Sequence, residues 1–503
     1  MDIFKYRLLS KKGRERKVKF PETIKEIQEG LATGQFTAVE LIDSIYQRIE
    51  VTESQIKSFI HYENHKQSAL AAASKADEIG YADDAPMLNG VPIAVKDNIL
   101  TKDFTTTAAS KMLENFVPTY DAFVIKQLQK AGAIVIGKLN MDEFAMGGST
   151  ENSYFHPTHN PWDLERVPGG SSGGSAASVA ARQVPASLGT DTGGSIRQPA
   201  SYTGIVGMKP SYGRVSRHGV VAFASSLDQV GPMTLTVEDN ARLLQAIAGQ
   251  DPNDATTLPD CNEAFSSEIG KSIKGMKIAY PKEYHSDAIN PEVRQAIDKA
   301  AEFFRKEGAI VEEVTLPHSE YGVNVYYIIA SAEASSNLQR FDGIRYGYRS
   351  TEAHNLDEIY IQSRNEGFGE EVKRRIMIGT YSLSAGAYDV FFKKAAQVRT
   401  LIKQDFAKVF EDHDLIMGPV TTSTAFKLGG RITDPLEMYV ADLLTVPINL
   451  AGVPSLSIPA GFDSNQLPIG MALTGPSSSE SILYQVGHAF EQAHDFYQKK
   501  PEL

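Results

Sequence analysis

The chain has a single cysteine, Cys261, among its 503 residues. No disulfide framework can form within it, and a reducing compartment, the cytoplasm, is the expected setting. Cys261 lies in Pro259-Asp-Cys-Asn262, where no glycine or basic neighbour would activate a thiolate. A catalytic thiol is not expected there. Uninterrupted apolar runs of about 18 residues are also missing, so no membrane span is expected. The richest apolar stretch, Leu443 to Phe462, is cut by Thr445, Pro447, Asn449, Pro454, Ser455, Ser457 and Pro459, and reads as buried core. Net positive charge is missing too. At −12 the chain repels phosphate and is a poor candidate to grip nucleic acid unaided. No His/Cys/Asp cluster has metal-ligand spacing, so no metal is expected in this chain. Low-complexity linkers and exact repeats are likewise missing.

What is present is an ordinary globular composition, 42% hydrophobic and 22% charged. Length alone would suggest roughly 2–4 domains. The pattern instead favours residues 1–20 as a flexible basic extension and 21–503 as one large domain. Lys5, Arg7, Lys11, Lys12, Arg14, Arg16, Lys17 and Lys19 face only Asp2 and Glu15, which reads as a solvated, frayed tail. Asp2 and the lack of an apolar segment argue against a secretory signal.

From Pro21 onward, helical and strand signals alternate. Thr23 with Glu26 and Thr37 with Glu40 are potential capping boxes. An alanine-rich helix is expected over 65–79, then a strand over Val91–Val95. Three further units repeat one order of amphipathic helix, polar stop and short apolar strand. They are 121–130 into 133–136, 291–307 into 309–311, and 397–410 into 415–417. Asn290 and Pro291 mark the start of the second of these helices. The alternation predicts an α/β fold, with helices packed around a mixed or parallel sheet.

Two glycine- and serine-rich patches occupy the middle of the chain. They read Pro168-Gly-Gly-Ser-Ser-Gly-Gly-Ser175 and Gly189-Thr-Asp-Thr-Gly-Gly-Ser-Ile-Arg-Gln-Pro199. A lysine, Lys96, ends the apolar run in Gly90-Val-Pro-Ile-Ala-Val-Lys-Asp-Asn98. Tight turns and helix starts alone would account for many such glycines. Gly169-Gly-Ser-Ser-Gly173 fits a nucleophile elbow, but no downstream histidine stands in a recognisable setting. Asp191-Thr-Gly-Gly has no second copy to share a proton with, as aspartic-protease chemistry requires. No Lys-Ser/Thr follows the glycines, so a phosphate cradle is not supported. Amide cleavage needs an activated nucleophile, a proton relay and donors for an oxyanion. Hydroxyls, an amine that can be neutral, and exposed backbone N–H groups supply all three.

These segments resemble the amidase signature family. The similarity is stronger to its branch of glutaminase subunits from tRNA-dependent amidotransferases. Met141-Asp-Glu-Phe-Ala-Met-Gly-Gly-Ser149, Trp162, Gly207-Met-Lys-Pro-Ser-Tyr-Gly-Arg-Val-Ser216 and Ser225-Ser-Leu-Asp-Gln-Val-Gly-Pro232 carry it. So do Ala332-Glu-Ala-Ser-Ser-Asn-Leu-Gln-Arg-Phe-Asp-Gly343 and Asp442-Leu-Leu-Thr-Val-Pro-Ile-Asn-Leu-Ala-Gly-Val-Pro454. The resemblance spans Pro21 to the C-terminus. It implies a large mixed, twisted β-sheet between layers of helices. It also implies a Ser–cisSer–Lys triad, with Ser195 as nucleophile, Ser171 as the middle serine after a cis peptide, and Lys96 as base. Backbone N–H groups around Thr192, Gly193, Gly194 and Ser195 would form the oxyanion hole. Arg375, Asp442 and Tyr326 would read the α-amino acid head of glutamine, with Tyr327 a close rival of Tyr326. Arg374, beside Arg375, shows how ambiguous one position in a charged helix is. The branch further implies a heterotrimer with B and C subunits. ATP and Mg²⁺ belong to the B partner, which amidates glutamate or aspartate on misacylated tRNA. A stand-alone amidase acting on another small amide is the alternative expectation.

Overall fold

A computed structural model describes residues 5–9, 15–19, 21–259, 264–430 and 441–503. Cys261 lies outside the described residues. Within the basic extension, β1 (Lys5–Leu9) pairs antiparallel with β2 (Glu15–Lys19), with Lys5 opposite Lys19. Residues 1–4, 10–14 and 20 of that extension lie outside the described residues.

Local chemistry sets the helix ends. The Thr37 hydroxyl accepts from Glu40 N at 3.1 Å, and Glu40 Oε2 accepts from Thr37 N at 2.9 Å, a reciprocal cap on the helix Ala38–Ile56. Thr23 accepts from Glu26 N at 3.1 Å, while the Glu26 carboxylate takes Glu22 N one residue further out. Asn290 accepts from Glu292 N at 2.8 Å and Pro291 opens the helix Pro291–Lys306. The alanine-rich helix forms over Lys66–Ile79 and the last predicted helix over Phe392–Val409, five residues earlier than the periodicity placed it.

The strands β3 (Phe59–His61), β4 (Pro92–Lys96), β5 (Ile134–Leu139), β6 (Ala186–Asp191), β7 (Val206–Lys209) and β8 (Gln229–Thr234) build one half of a single sheet. The other half holds β9 (Lys277–Pro281), β10 (Ile310–Val314), β11 (Leu415–Pro419), β12 (Ser455–Phe462) and β13 (Pro468–Thr474). The order across its 11 strands is β10-β9-β11-β13-β12-β7-β8-β6-β4-β5-β3. It is mixed: β4 runs parallel to both β5 and β6, whereas β6 runs antiparallel to β8. The stretch read as buried core supplies the helix Val446–Ala451 and the central strand β12. One continuous apolar core extends from Ile24 to Phe490 across both halves. All the residues of β4 and β6 are buried, as strands covered on both faces must be.

Candidate active site

The site grows from one feature of the topology. β4 and β6 are adjacent and parallel, with Val95 opposite Leu188. Their C-terminal ends therefore meet, which sets Lys96 beside Thr190 and Asp191. The helix Gly173–Ala180 feeds β6, and Ser171 and Ser172 stand just before that helix. After β6 the chain turns through Thr192-Gly-Gly-Ser195 into the helix Arg197–Thr203. Both serine patches thus converge on the lysine, in the crevice beyond the carboxyl ends of parallel strands.

Lys96 is fully buried. Its Nζ lies 2.7 Å from Ser171 Oγ, 2.8 Å from Ser172 Oγ and 2.9 Å from Thr190 Oγ1. Burial pushes its pKa down to about 7, while Asp142, Asp191 and Asp228 pull it part of the way back. Near neutrality a large fraction of the amine is therefore uncharged and able to accept a proton. The peptide bond between Gly170 and Ser171 is cis. Ser195 shows 8% exposure and joins this group through its carbonyl, which accepts from Ser172 N at 3.2 Å. Among the described residues its Oγ makes no hydrogen bond, so the Ser171–Lys96 half of the expected relay is formed and the Ser195–Ser171 half is open. Catalytic hydrogen bonds are often long before substrate arrives.

The nucleophile turn is held by an ion pair that the sequence reading did not single out. Asp191 accepts from Gly194 N at 2.9 Å, Ile196 N at 3.2 Å and Asn449 Nδ2 at 2.8 Å. It also pairs with Arg197 Nε at 3.0 Å, with both side chains fully buried. Burial alone would raise the Asp191 pKa, but Arg197 outweighs it and holds the carboxyl at about 2. On the other side, Thr192 Oγ1 donates to Asp228 Oδ1 at 2.6 Å, and Thr445 Oγ1 donates to Gly193 O at 2.6 Å. Gly194 departs from expectation. Its N–H is taken by Asp191, so that amide is not free for an oxyanion while the bond stands.

Asp142 secures the other patch. It accepts from Ser149 N, Thr150 N and Asn152 N at 3.3, 2.9 and 3.2 Å, and its own N–H donates to Ser171 O at 3.2 Å. A β-carbon on Gly170 would collide with this carboxylate, so the close approach requires glycine. Sequence reasoning also missed Ser172, Thr190 and Asn98. Their only signal was position: Ser172 follows Ser171, Thr190 precedes Asp191, and Asn98 is two residues past Lys96.

The residues expected to read an amino acid head come together beside the turn. Tyr326 packs on Gly193, where a β-carbon would lie 2.5 Å from its ring. Its ring meets Tyr327 edge-on at 5.0 Å, and Tyr327 Oη donates to Asp442 Oδ2 at 2.8 Å. The Arg375 guanidinium lies 4.4 Å over the Tyr327 ring, and Arg375 Nε donates to Glu371 Oε1 at 2.7 Å. Both tyrosines therefore belong to this cluster, rather than one in place of the other. Arg375 is 3% exposed on the inner face of the helix Glu370–Ser382, whereas Arg374 faces solvent. Burial pushes the Asp442 pKa up to about 7, with Tyr327 and Arg375 opposing.

Comparison with known proteins places this geometry. The Amidase family model matches residues 40–483. The A subunit of glutamyl-tRNA(Gln) amidotransferase from Listeria welshimeri is 58% identical over 484 residues, covering 96% of this chain and 99% of that protein. Its counterpart from Enterococcus faecalis is also 58% identical, covering 96% and 98%. The crystal structure of the corresponding Thermotoga maritima protein superposes with a TM-score of 0.78 at 44% identity, over 93% of this chain and 94% of that one. A native peptide amidase from Stenotrophomonas maltophilia gives 0.79 at 26% identity, over 95% and 98%. Among the described residues, no helix is long and apolar enough to cross a membrane.

Proposed function

The chain belongs to the amidase family, and from that premise we propose that it is the glutaminase component of a tRNA-dependent amidotransferase. It hydrolyses glutamine and passes the ammonia to a partner protein. The observation that carries the chemistry is the buried Lys96 with its three hydroxyl neighbours. In the proposed mechanism Ser195 Oγ attacks the side-chain amide carbon of glutamine. Its proton passes to Ser171, and the Ser171 proton passes to Lys96. Backbone N–H groups of the 192–195 turn other than that of Gly194, which Asp191 holds, stabilise the oxyanion. Collapse breaks the C–N bond, and the proton returns through Ser171 to the departing ammonia. Water then releases glutamate from Ser195 by the same relay.

The presence of Arg375 and Asp442 side by side on Tyr327, one over its ring and one at its hydroxyl, supports glutamine over an uncharged amide. Arg375 offers a cationic fork for the α-carboxylate and Asp442 a partner for the α-ammonium. A stand-alone amidase for uncharged substrates has no use for that pair. Arg375→Ala is expected to raise KM for glutamine about 10- to 100-fold with a smaller change in kcat. Steady-state ammonia release measures this, and an unchanged KM would remove Arg375 from the binding site.

The acid limb of activity follows from the Lys96 pKa of about 7. The base works when unprotonated, so kcat/KM rises with pH through that region and levels above it. A pH–rate profile with no inflection between about 6 and 8 would contradict a lysine base.

A heterotrimer with B and C subunits fits the surface. The helix Glu370–Ser382 carries Arg375 on its inner face, while Met377 and Tyr381 on its outer face are 70% and 62% exposed. Tyr381 meets Phe391 with ring centroids 5.7 Å apart, and Val390 next to Phe391 is 66% exposed, the kind of apolar surface that marks protein contacts. ATP and Mg²⁺ are assigned to the B partner, and so is contact with misacylated tRNA carrying glutamate, aspartate or both. The reading is tested by co-purifying the three chains and following glutamine-dependent amidation of misacylated tRNA. Free-standing cleavage of simple amides with no glutamine turnover would favour the amidase alternative.

A further inference from the structure

A neutral lysine has two hydrogens and one lone pair. A base in a serine relay works only if the lone pair, and not a hydrogen, faces the serine. Around Lys96 the hydrogen-bond chemistry decides which it is. Ser172 Oγ has one hydrogen, and it goes to the main-chain oxygen of Thr190 at 3.0 Å, a group that only accepts. The same Oγ accepts from Thr190 N at 3.2 Å. Toward Lys96, 2.8 Å away, Ser172 is therefore an acceptor and takes one lysine hydrogen. The second hydrogen meets Thr190, whose Oγ1 lies at 2.9 Å and whose accept-only carbonyl lies at 3.4 Å.

Asn98 completes the set. Its Nδ2 stands 3.0 Å from Thr190 Oγ1, to which it would donate, and its Oδ1 is buried without a hydrogen-bond partner, which favours the opposite orientation of the amide. The two ends of an amide exchange by a half-turn. With the oxygen at the Thr190 end, it takes the threonine hydrogen, and Thr190 faces Lys96 as an acceptor too. Two acceptors then hold two hydrogens, and the remaining direction on Nζ is toward Ser171 Oγ at 2.7 Å.

We propose that Ser172 and Thr190 are positioning residues that aim the lone pair of neutral Lys96 at Ser171, with Asn98 fixing the Thr190 hydroxyl. This rests on the serine-relay reading above. The charged groups acting on Lys96 are Asp142, Asp191 and Asp228, from three separate segments. Neither Ser172 nor Thr190 adds charge, so their effect on the lysine is directional hydrogen bonding.

The test is labelling of Ser195 by a fluorophosphonate, read against pH on the full chain. In that reaction the Ser195 Oγ–P bond forms, fluoride leaves, and the serine proton passes through Ser171 to Lys96. No glutamine is needed. Ser172→Ala and Thr190→Val are expected to label about 10- to 100-fold more slowly. Their acid limbs should shift to lower pH, because an acceptor for the lysine ammonium has been lost. Thr190→Ser keeps the hydroxyl and is expected to label within about 3-fold of wild type. Wild-type rates and limbs in both Ser172→Ala and Thr190→Val would overturn the proposal. So would slow labelling with an unmoved acid limb, or a Thr190→Ser variant as slow as Thr190→Val, since either marks a merely structural role. Glutamine turnover is followed in parallel in the assembled complex. Normal labelling of wild type without glutamine turnover counts against the glutaminase reading, while the labelling rates alone decide the positioning roles.

Discussion

Lys96→Met abolishes glutamine hydrolysis, with kcat/KM falling about 10⁴-fold or more, while the melting temperature holds or rises. The two halves of this result come from the same burial. Lys96 is fully enclosed, and keeping an amine there costs solvation, which is why its pKa falls to about 7. Methionine fills similar volume without that cost. Against this stand the lost hydrogen bonds to Ser171, Ser172 and Thr190. Ser172 keeps its bonds to Thr190, and Thr190 keeps Asn98, so only the Ser171 hydroxyl loses its partner. Stability given up for a poised base is regained when the base is removed. Calorimetry and ammonia release on one preparation test both halves. A large drop in melting temperature would mean that Lys96 is chiefly a structural strut.

Asp191→Ala is expected to cost about 3–5 kcal/mol of stability, the largest loss of any single change at the site. The mutation leaves the Arg197 guanidinium fully buried without its counter-charge. It also releases Gly194 N and Ile196 N, which fix the two sides of Ser195. Activity should fall even where the protein remains folded. Two chemical details make the case specific. Asp191 is ionised well below neutral pH, so the pair is charged throughout the working range. Arg197 also donates to Asn449 Oδ1 at 2.5 Å and to Thr445 O, so the strain reaches the helix Val446–Ala451. Urea unfolding measures the loss. The double change Asp191→Ala with Arg197→Met should recover part of it, because no unpaired charge then remains. No recovery would mean that the backbone contacts of Asp191, rather than its ion pair, dominate.

Much of this is legible in the amino-acid sequence. The strand ending at Lys96 followed from a short apolar run after a glycine. The cap at Thr37 followed from a four-residue pattern that local chemistry satisfies without help. The serine patches stood out by composition. What stayed hidden depends on tertiary arrangement. Thr190 and Ser172 acquire their meaning only because β6 lies beside β4, although Thr190 and Lys96 are 94 residues apart in the chain. Arg374 and Arg375 cannot be told apart by charge or spacing. Neighbouring helical residues point about 100° apart, and only the packing of the Glu370–Ser382 helix decides which one is inside. Tyr326 and Tyr327 looked like rivals, yet one packs on Gly193 and the other bonds Asp442. The bond from Gly194 N to Asp191 is hidden for a related reason. Glycine signals an accessible amide, but not whether a carboxylate already holds it.

The central claim is that Ser195, activated through Ser171 and Lys96, cleaves glutamine for a partner protein. The most direct measurement is ammonia release from glutamine by the chain co-purified with its B and C subunits, wild type beside Ser195→Ala. The account predicts release by the wild type, stimulated by ATP and misacylated tRNA, and none above background in the variant. Equal release by both would contradict it, because the nucleophile would then lie elsewhere.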